Sequence, residues 1–365
     1  MLSKFYRCSL NYVLSPGILS VLLLCGCQED EAFVRRGYRL YERKQYNKAI
    51  ESFDAALSIN GSNTYAYFFR GNSWAEKKDA SRALKDYNQA IEIDPNFSHA
   101  YHGRAYLWAE IGNNSNALAD YTKAIELNPS MVAAYINRAN PFAQMAQTNR
   151  AIDDYTAILS MAPKDRKILH TRGDMLLSLG RISEALRDYS KVIKITPNDS
   201  VAYSSRADAW YQSNEYAKAI CDLTKAIELH VNGPETYSNL AWLLSTCPDN
   251  KLRDGKRALE IAQKAWTIVS LPAWQQYLPH VYSTIAAAYA ENGNYEMAVQ
   301  CQSKAIELAR KDKNITDIGE WEVHLKLYRE KKPLRVNGLG LLINTDEYNG
   351  GSVSCTNVTN ISGQP

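Results

Sequence analysis

The sequence predicts an all-α protein, an α-solenoid built from about eight helix-turn-helix units and a C-terminal capping helix. The first observation is a motif, clearest as ALADYTKAIELNP from Ala117 to Pro129, that recurs every 34 residues. The second is its pattern, since small residues at i and i+7 with an aromatic at i+4 form one close-packing stripe on a helix. The third is the proline that usually closes the unit, because proline cannot continue a helix.

The second helix of each unit carries this stripe. Its first small residues are Ala49, Ala83, Ala117, Ala151, Ala185 and Ala219. Four residues later come Phe53, Tyr87, Tyr121, Tyr155, Tyr189 and Leu223. A first helix is marked upstream by Gly37, Gly71, Ala105, Ala139, Gly173 and Ala207. Six copies in one register predict paired helices that stack in sequence.

The period and the small, aromatic and proline positions resemble the tetratricopeptide repeat (TPR) family. That resemblance implies a right-handed superhelix in which each unit buries its face only against its neighbours. In the family's register the array covers 27–312, with units at 30–63, 64–97, 98–131, 132–165, 166–199, 200–233, an expanded 234–272, and 279–312. We expect a capping helix at 313–332 and a disordered tail at 333–365, where periodicity is lost.

The N-terminus has the layout of a secretory signal peptide. Residues 1–26 combine a basic start with an apolar run from Ile18 to Leu24 that is short for a bilayer span. Leu24-Cys25-Gly26-Cys27 resembles a bacterial lipobox, which implies cleavage before Cys27 and lipid attachment to its thiol. The resemblance therefore implies a lipoprotein that faces the periplasm, on the outer membrane if Gln28 acts as a sorting signal. A soluble exported protein and an uncleaved anchor are the alternatives.

Composition and motifs argue against several functional classes. The formal charge of +3 and the absence of clustered Lys and Arg give no footprint for nucleic acid. No nucleophile elbow, HExxH, phosphate-binding glycine loop or CxxC pair occurs, so we expect no catalytic residue, cofactor, small-molecule substrate or metal. His99 and His102 share a helix face and are potential metal ligands together with His170, but groove-lining polar residues are the simpler interpretation.

Two series of charged residues also repeat every 34 positions. They are Arg70, Arg104, Arg138, Arg172 and Arg206 on first helices, and Asp86, Asp120, Asp154, Asp188 and Asp222 sixteen residues later. A ladder of this regularity allows a ligand-binding interpretation. The structural interpretation is stronger, because stacking would select one partly buried pair per unit. We therefore expect each arginine within hydrogen-bonding range of an aspartate.

The resemblance assigns the concave groove to non-packing positions of the first helices. Carried onto this chain, the groove comprises Tyr65, Phe68, Asn72, Glu76, His99, His102, Tyr106, Glu110, Asn140, Gln144, Lys167, His170, Asp174, Asp208, Tyr211 and Gln212. These positions vary while the packing positions stay constant. Their mixed aromatic and polar chemistry suits an extended peptide or a partner helix. Pro141 lies inside one of these first helices and predicts a local bend there.

Together these features predict a non-enzymatic scaffold for protein interactions, anchored by lipid in the bacterial cell envelope, with a protein or peptide partner in the groove. One alternative is an accessory, substrate-capturing subunit of an envelope enzyme. Another is a cytoplasmic chaperone adaptor. The second alternative is disfavoured because Lys167 is the one basic residue among the groove positions, whereas family members that bind chaperone tails clamp a carboxylate with several.

Overall fold

The protein is described from a computed structural model, which places residues 29–230, 233–311, 317–338, 341 and 342. These residues form seventeen α-helices and one 3-10 helix. The predicted signal peptide, the lipid-bearing Cys27 and most of the predicted tail lie outside the described residues. No described helix has the length and apolar character needed to cross a bilayer.

The helices follow one another in pairs. In chain order they are α1 Glu29–Glu42, α2 Tyr46–Ile59, α3 Thr64–Glu76, α4 Ala80–Ile93, α5 Ser98–Glu110, α6 Asn114–Leu127, α7 Val132–Gln144, α8 Thr148–Met161, α9 Arg166–Ser178, α10 Ile182–Ile195, α11 Ser200–Gln212, α12 Tyr216–Glu228, α13 Pro234–Thr246, α14 Gly255–Val269, α15 Leu278–Glu291, α16 Tyr295–Lys311 and α17 Ile318–Arg329. A 3-10 helix, Pro272–Tyr277, precedes α15. Odd-numbered helices up to α15 are the first helices of their pairs.

The chain divides into two compact units. The N-terminal unit is Met1–Pro163 and contains α1 to α8, and the C-terminal unit is Lys164–Pro365 and contains α9 to α17. Within each unit the strongest contacts join the two helices of a pair, followed by contacts to the next pair. This nearest-neighbour packing is the arrangement expected of stacked repeats.

The core of each pair is the predicted stripe of small and aromatic residues. Tyr87 and Tyr121 in the N-terminal unit and Tyr189 in the C-terminal unit are at most 1% exposed. These rings lie against the first helix, which requires glycine there. A Cβ atom on Gly71 would lie 2.9 Å from Cε1 of Tyr87, and one on Gly173 would lie 2.7 Å from Cε1 of Tyr189. The absent side chain therefore permits the close approach of the two helices.

Side chains at several helix starts fix where the helices begin. Asn63 and Asp199 accept hydrogen bonds from backbone amides in the first turns of α3 and α11. Such caps satisfy amides that have no partner inside the helix. Pro141 does not break α7, which continues through it from Val132 to Gln144. The bend predicted at Pro141 stays a prediction.

The helix α17 covers the last apolar face, as the predicted capping helix should. Trp321 packs against Ala305, Ile306 and Ala309 of α16 and is 5% exposed. A terminal repeat needs such a cover because no further unit stacks on it.

The segment that follows α17 differs from the prediction. The sequence predicted a disordered tail from residue 333, yet Leu334 and Val336 are each only 1% exposed and pack into the C-terminal unit. The tail prediction is therefore wrong for residues 333–338. Loss of helical periodicity removed the signal used for folding, while the two alternating apolar residues found a surface to cover.

Candidate functional site

Each predicted arginine forms a two-pronged ion pair with the aspartate sixteen residues later. In the first pair, Nε and Nη2 of Arg70 donate to the two carboxylate oxygens of Asp86 at 2.9 and 2.7 Å. In the last, the corresponding distances from Arg206 to Asp222 are 2.7 and 2.8 Å. The same fork joins Arg104 to Asp120, Arg138 to Asp154, and Arg172 to Asp188. Since all five aspartates are buried, the ladder joins helices within each pair.

A third partner extends this ladder to the preceding pair. The Nη1 atom of Arg70 donates to Asp54 at 2.6 Å, and that of Arg138 donates to Thr122 at 2.9 Å. The equivalent partner of Arg104 is Asn88, and that of Arg206 is Ser190. The sequence analysis missed these acceptors, although their 34-residue spacing and hydrogen-bonding side chains were a usable signal. Each of these four arginines thus links two successive second helices.

In the N-terminal unit, three predicted groove residues are buried and are corrected here. Phe68 is 0% exposed, and Asn72 and His102 are 2% exposed. Asn72 accepts a hydrogen bond from the hydroxyl of buried Tyr87 at 2.7 Å. Burial lowers the pKa of His102 to about 4, and its Nε2 lies 3.1 Å from the amide nitrogen of Asn137. These side chains support the core, so a partner could not contact them directly.

The remaining predicted positions of this unit are at least partly accessible. They are Tyr65, Glu76, His99, Tyr106, Glu110, Asn140 and Gln144. The ring of His99 lies beside the rings of Phe68 and Phe97, and burial lowers its pKa. No three His, Cys, Asp or Glu side chains of the described chain gather as a metal site would require.

In the C-terminal unit, His170 and Asp174 are held by neighbouring polar groups. Nδ1 of His170 lies 3.2 Å from Asp174, and its Nε2 lies 3.1 Å from the hydroxyl of Ser205. Asp174 also accepts a hydrogen bond of 2.8 Å from Tyr189. Burial opposes the charged form of His170, but the hydrogen bond to Asp174 leaves its pKa raised. Lys167 is exposed in the first turn of α9.

The three remaining predicted groove residues meet in one pocket. Its volume is about 610 Å³. It is lined by Leu177, Ala207, Asp208, Tyr211, Gln212, Leu223, Asn239, Trp242, Leu243 and Gly338. The sequence analysis did not include Asn239 or Trp242, which lie on the variant helix α13, nor Gly338, which it placed in the tail. The pocket therefore combines three first helices with a residue from the C-terminal segment.

Asp208 dominates the electrostatics of this pocket. The amide of Asn239 donates to its Oδ1 at 3.2 Å. Burial, together with the charge of Asp174, raises the pKa of Asp208 to about 6 although the hydrogen bond from Asn239 opposes this shift. No cationic side chain among the described residues pairs with it, in contrast to the aspartates of the ladder.

An extended segment of the chain itself, residues 334–338, lies against the ends of the first helices next to this pocket. The amide of Val336 donates to the carbonyl of Thr246 at 3.2 Å. The hydroxyl of Tyr211 donates to the carbonyl of Asn337, and the amide of Gly338 donates to the side-chain oxygen of Asn214, both at 2.9 Å. The face of α11 and α13 thus holds an extended chain through main-chain groups as well as through two buried side chains.

Comparisons with known proteins agree with the fold. Tetratricopeptide repeat models match residues 34–96, 98–131 and 279–312, and a TPR repeat model matches 173–212. No curated protein matches the sequence.

Solved structures with the same fold have low sequence identity. The C-terminal part of a TPR repeat-containing protein from Cytophaga hutchinsonii is 17% identical, with 73% of this chain and 98% of that chain covered and a TM-score of 0.52. A tetratricopeptide repeat protein from Parabacteroides merdae is 18% identical, with 83% and 100% covered and a TM-score of 0.44. YrrB, described as a TPR protein with an unusual peptide-binding site, is 20% identical, with 59% and 99% covered and a TM-score of 0.45. With the helix pairs and their buried stripe, the matched models identify this chain as an all-α protein of tetratricopeptide repeats.

Proposed function

We propose that the protein is a non-enzymatic interaction scaffold whose first helices in the C-terminal unit bind an extended partner peptide. The observation that carries this proposal is the segment 334–338, which the same helices hold through main-chain hydrogen bonds and two buried apolar side chains. Main-chain bonds accept many sequences, while pockets select side chains, which is the usual division in peptide recognition. The adjoining pocket supplies the second element.

The bound region of the face can be mapped by photo-crosslinking. A photoreactive residue replaces Gln212 at the pocket, and in a control it replaces Glu260, which is exposed on the second helix α14. We expect a discrete protein adduct from position 212 that position 260 does not give. The purified partner should then bind the full chain in calorimetry, and Trp242→Ala should weaken its affinity at least about tenfold, since large aromatic side chains commonly anchor interfaces. Adducts of equal yield at both positions would contradict binding at this face.

We further propose that the scaffold is anchored by lipid at Cys27 in the bacterial cell envelope. The support for this proposal is the leader sequence, with its apolar run followed by Leu24-Cys25-Gly26-Cys27. Mass spectrometry of the mature protein should find a diacylated residue 27 at the N-terminus. Cys27→Ser should move the protein from the membrane fraction to the soluble fraction. An intact, unmodified N-terminus in the cytosol would reject the anchor and favour an adaptor in that compartment.

A further inference from the structure

The pocket holds a carboxylate whose charge the described residues leave uncompensated. Asp208 has the amide of Asn239 as its hydrogen-bond donor and the like charge of Asp174 as its electrostatic neighbour. A carboxylate removed from water in this way is costly unless a cation pairs with it. The ladder shows what the same fold does elsewhere, because Asp222 on the adjacent helix meets a guanidinium at 2.7 Å.

The walls of the pocket suit the same kind of ligand as its carboxylate. Tyr211 and Trp242 both line it, together with the aliphatic Leu177 and Leu243. Aromatic faces attract Lys and Arg side chains, and aliphatic walls cover their methylene stems. An acidic or purely apolar side chain would leave Asp208 either repelled or unpaired.

The neighbouring segment shows how this face holds a basic side chain of an extended chain. Arg335 forms an ion pair of 2.8 Å with Glu291 of α15, and both side chains are 14% exposed. Arg335 lies between Leu334 and Val336, whose side chains are buried. One cation among inward-facing apolar residues is thus already accommodated on the face next to the pocket.

The chain's own segment turns back at the edge of the pocket. Gly338 contributes to the lining, while the amide of Asn337 donates to the carbonyl of Leu341 and Val336 pairs antiparallel with Leu342. The side chains of the segment therefore end where the pocket begins. A different chain is needed to place a side chain beside Asp208.

From these observations we propose that the pocket around Asp208 binds a lysine or arginine side chain of an extended partner peptide, with the cation at Asp208 and its stem between Tyr211 and Trp242. The proposal rests on the proposed function, since it names the chemistry of the partner at the same face. The opposite partner class, a peptide with an acidic terminus, would bring a second negative charge against this carboxylate.

The test uses three pools of synthetic heptapeptides that are randomised at every position except the fourth, which is fixed as arginine, citrulline or glutamate. Citrulline keeps the shape of arginine without its charge. We expect the full-length protein to bind the arginine pool about tenfold more tightly than the citrulline pool, since a charge-assisted pair with an aromatic wall is worth roughly 1.5 kcal/mol. The formal charge of the chain is +3, so a general attraction for basic peptides does not explain such a preference.

Two variants and one control assign that preference to the pocket. Asp208→Asn should remove the difference between the arginine and citrulline pools, and Trp242→Leu should reduce it while the carboxylate remains. Glu260→Gln removes one exposed negative charge from α14 and should leave the difference unchanged. Circular dichroism and thermal melting of each variant verify that its helices are intact.

The outcomes separate this proposal from the proposed function. Equal affinity for the three pools, or a preference for arginine that survives Asp208→Asn, would overturn the basic-side-chain proposal while leaving peptide binding in place. If no pool binds at millimolar concentration and position 212 gives no adduct, peptide binding at this face fails as well. Tighter binding of the glutamate pool would identify an acidic partner and overturn the proposal directly.

Discussion

Two kinds of aspartate in the C-terminal unit show how much one residue type depends on its surroundings. Asp222 is 2% exposed, and burial raises its pKa while the two hydrogen bonds from Arg206 oppose that shift. Asp208 is partly buried without a cation, so its pKa rises to about 6. The first carboxylate joins two helices. The second stores an unfavourable charge that a ligand can compensate.

The first prediction concerns the pH dependence of stability at Asp208. Its folded pKa is about 6, above the value of 3.8 expected in the unfolded chain. The folded state therefore binds more protons between these values, and this group's contribution to stability is lost as pH rises through 6. Asp208→Asn should remove that loss and stabilise the C-terminal unit at pH 7 by about 1 to 2 kcal/mol, a figure reduced for partial solvent screening.

Urea denaturation at pH 4 and at pH 7 measures this effect, with Glu260→Gln as the control. The stabilising effect of Asp208→Asn should be present at pH 7 and absent at pH 4. An equal effect at both pH values would show that the charge of Asp208 is already compensated in the folded protein.

The second prediction concerns the ladder. Arg206 and Asp222 have side chains only 6% and 3% exposed, so Asp222→Ala leaves a buried guanidinium without its carboxylate. We expect a loss of about 3 to 5 kcal/mol, as for other broken buried ion pairs. Glu228→Ala on the same helix removes an exposed partner of Lys225 and should cost less than about 0.5 kcal/mol.

Hydrogen exchange read by mass spectrometry is the appropriate measurement, because stacked repeats need not unfold in one step. Protection should fall mainly in α11 and α12 of the Asp222→Ala variant. Unchanged exchange in these two helices would show that the pair contributes little to joining them.

At the scale of the element, the sequence predicts helices well and the C-terminal segment poorly. The first helices α3, α5 and α7 start at Thr64, Ser98 and Val132, one period of 34 residues apart, because the same small and aromatic positions recur. The groove was less predictable, since the family's positions do not reveal that Asn72 bonds to Tyr87 or that Phe68 lies in the core. Whether a side chain faces a groove or a core depends on neighbours outside the repeat motif.

The segment 334–338 escaped prediction for a related reason. It has no helical period, and its two apolar residues gain burial only against α11 and α13. Trp242 was missed because the variant seventh unit departs from the register that located the other groove residues. Local sequence therefore defined the repeats, while the pocket depends on long-range packing that the pattern does not encode.

The third prediction concerns the docking of this segment. A Cβ atom added to Gly338 would lie 1.9 Å from the carbonyl oxygen of Tyr211, a distance that no side chain can tolerate. Gly338→Ala should therefore displace the segment and expose the amide of Val336, which otherwise donates to Thr246. We expect faster hydrogen exchange at residues 334–338 and an unchanged rate in α9 and α10.

The control is Gly319→Ala in α17, where an added Cβ meets no atom within 4 Å. It should leave the segment docked, because alanine in place of glycine within a helix is mildly stabilising. Slow exchange of Val336 in the Gly338→Ala variant would indicate that backbone adjustment at Tyr211 accommodates the methyl group.

At the scale of the whole molecule, each of the two units has its own core. The N-terminal unit packs α1 to α8 around residues such as Phe53 and Tyr87, and the C-terminal unit packs α9 to α17 around residues such as Leu223 and Leu240. Since each pair depends mainly on its immediate neighbours, most substitutions should act locally. The end of the array is the exception, because an uncovered terminal pair presents its apolar face to solvent.

The fourth prediction addresses that end. A chain that stops after Lys311 lacks α17 and the segment 334–338, so Ala305, Ile306 and Ala309 lose the cover of Trp321. A contiguous apolar face of this kind promotes association between molecules. We therefore expect oligomers or aggregates by size-exclusion chromatography with light scattering, whereas a matched chain that stops after Leu342 keeps both covering elements and should elute as the full-length protein does. If the shorter chain has the same molar mass and melting temperature as the longer one, α17 is dispensable as a cap, and the polar outer surface of α16 suffices to end the stack.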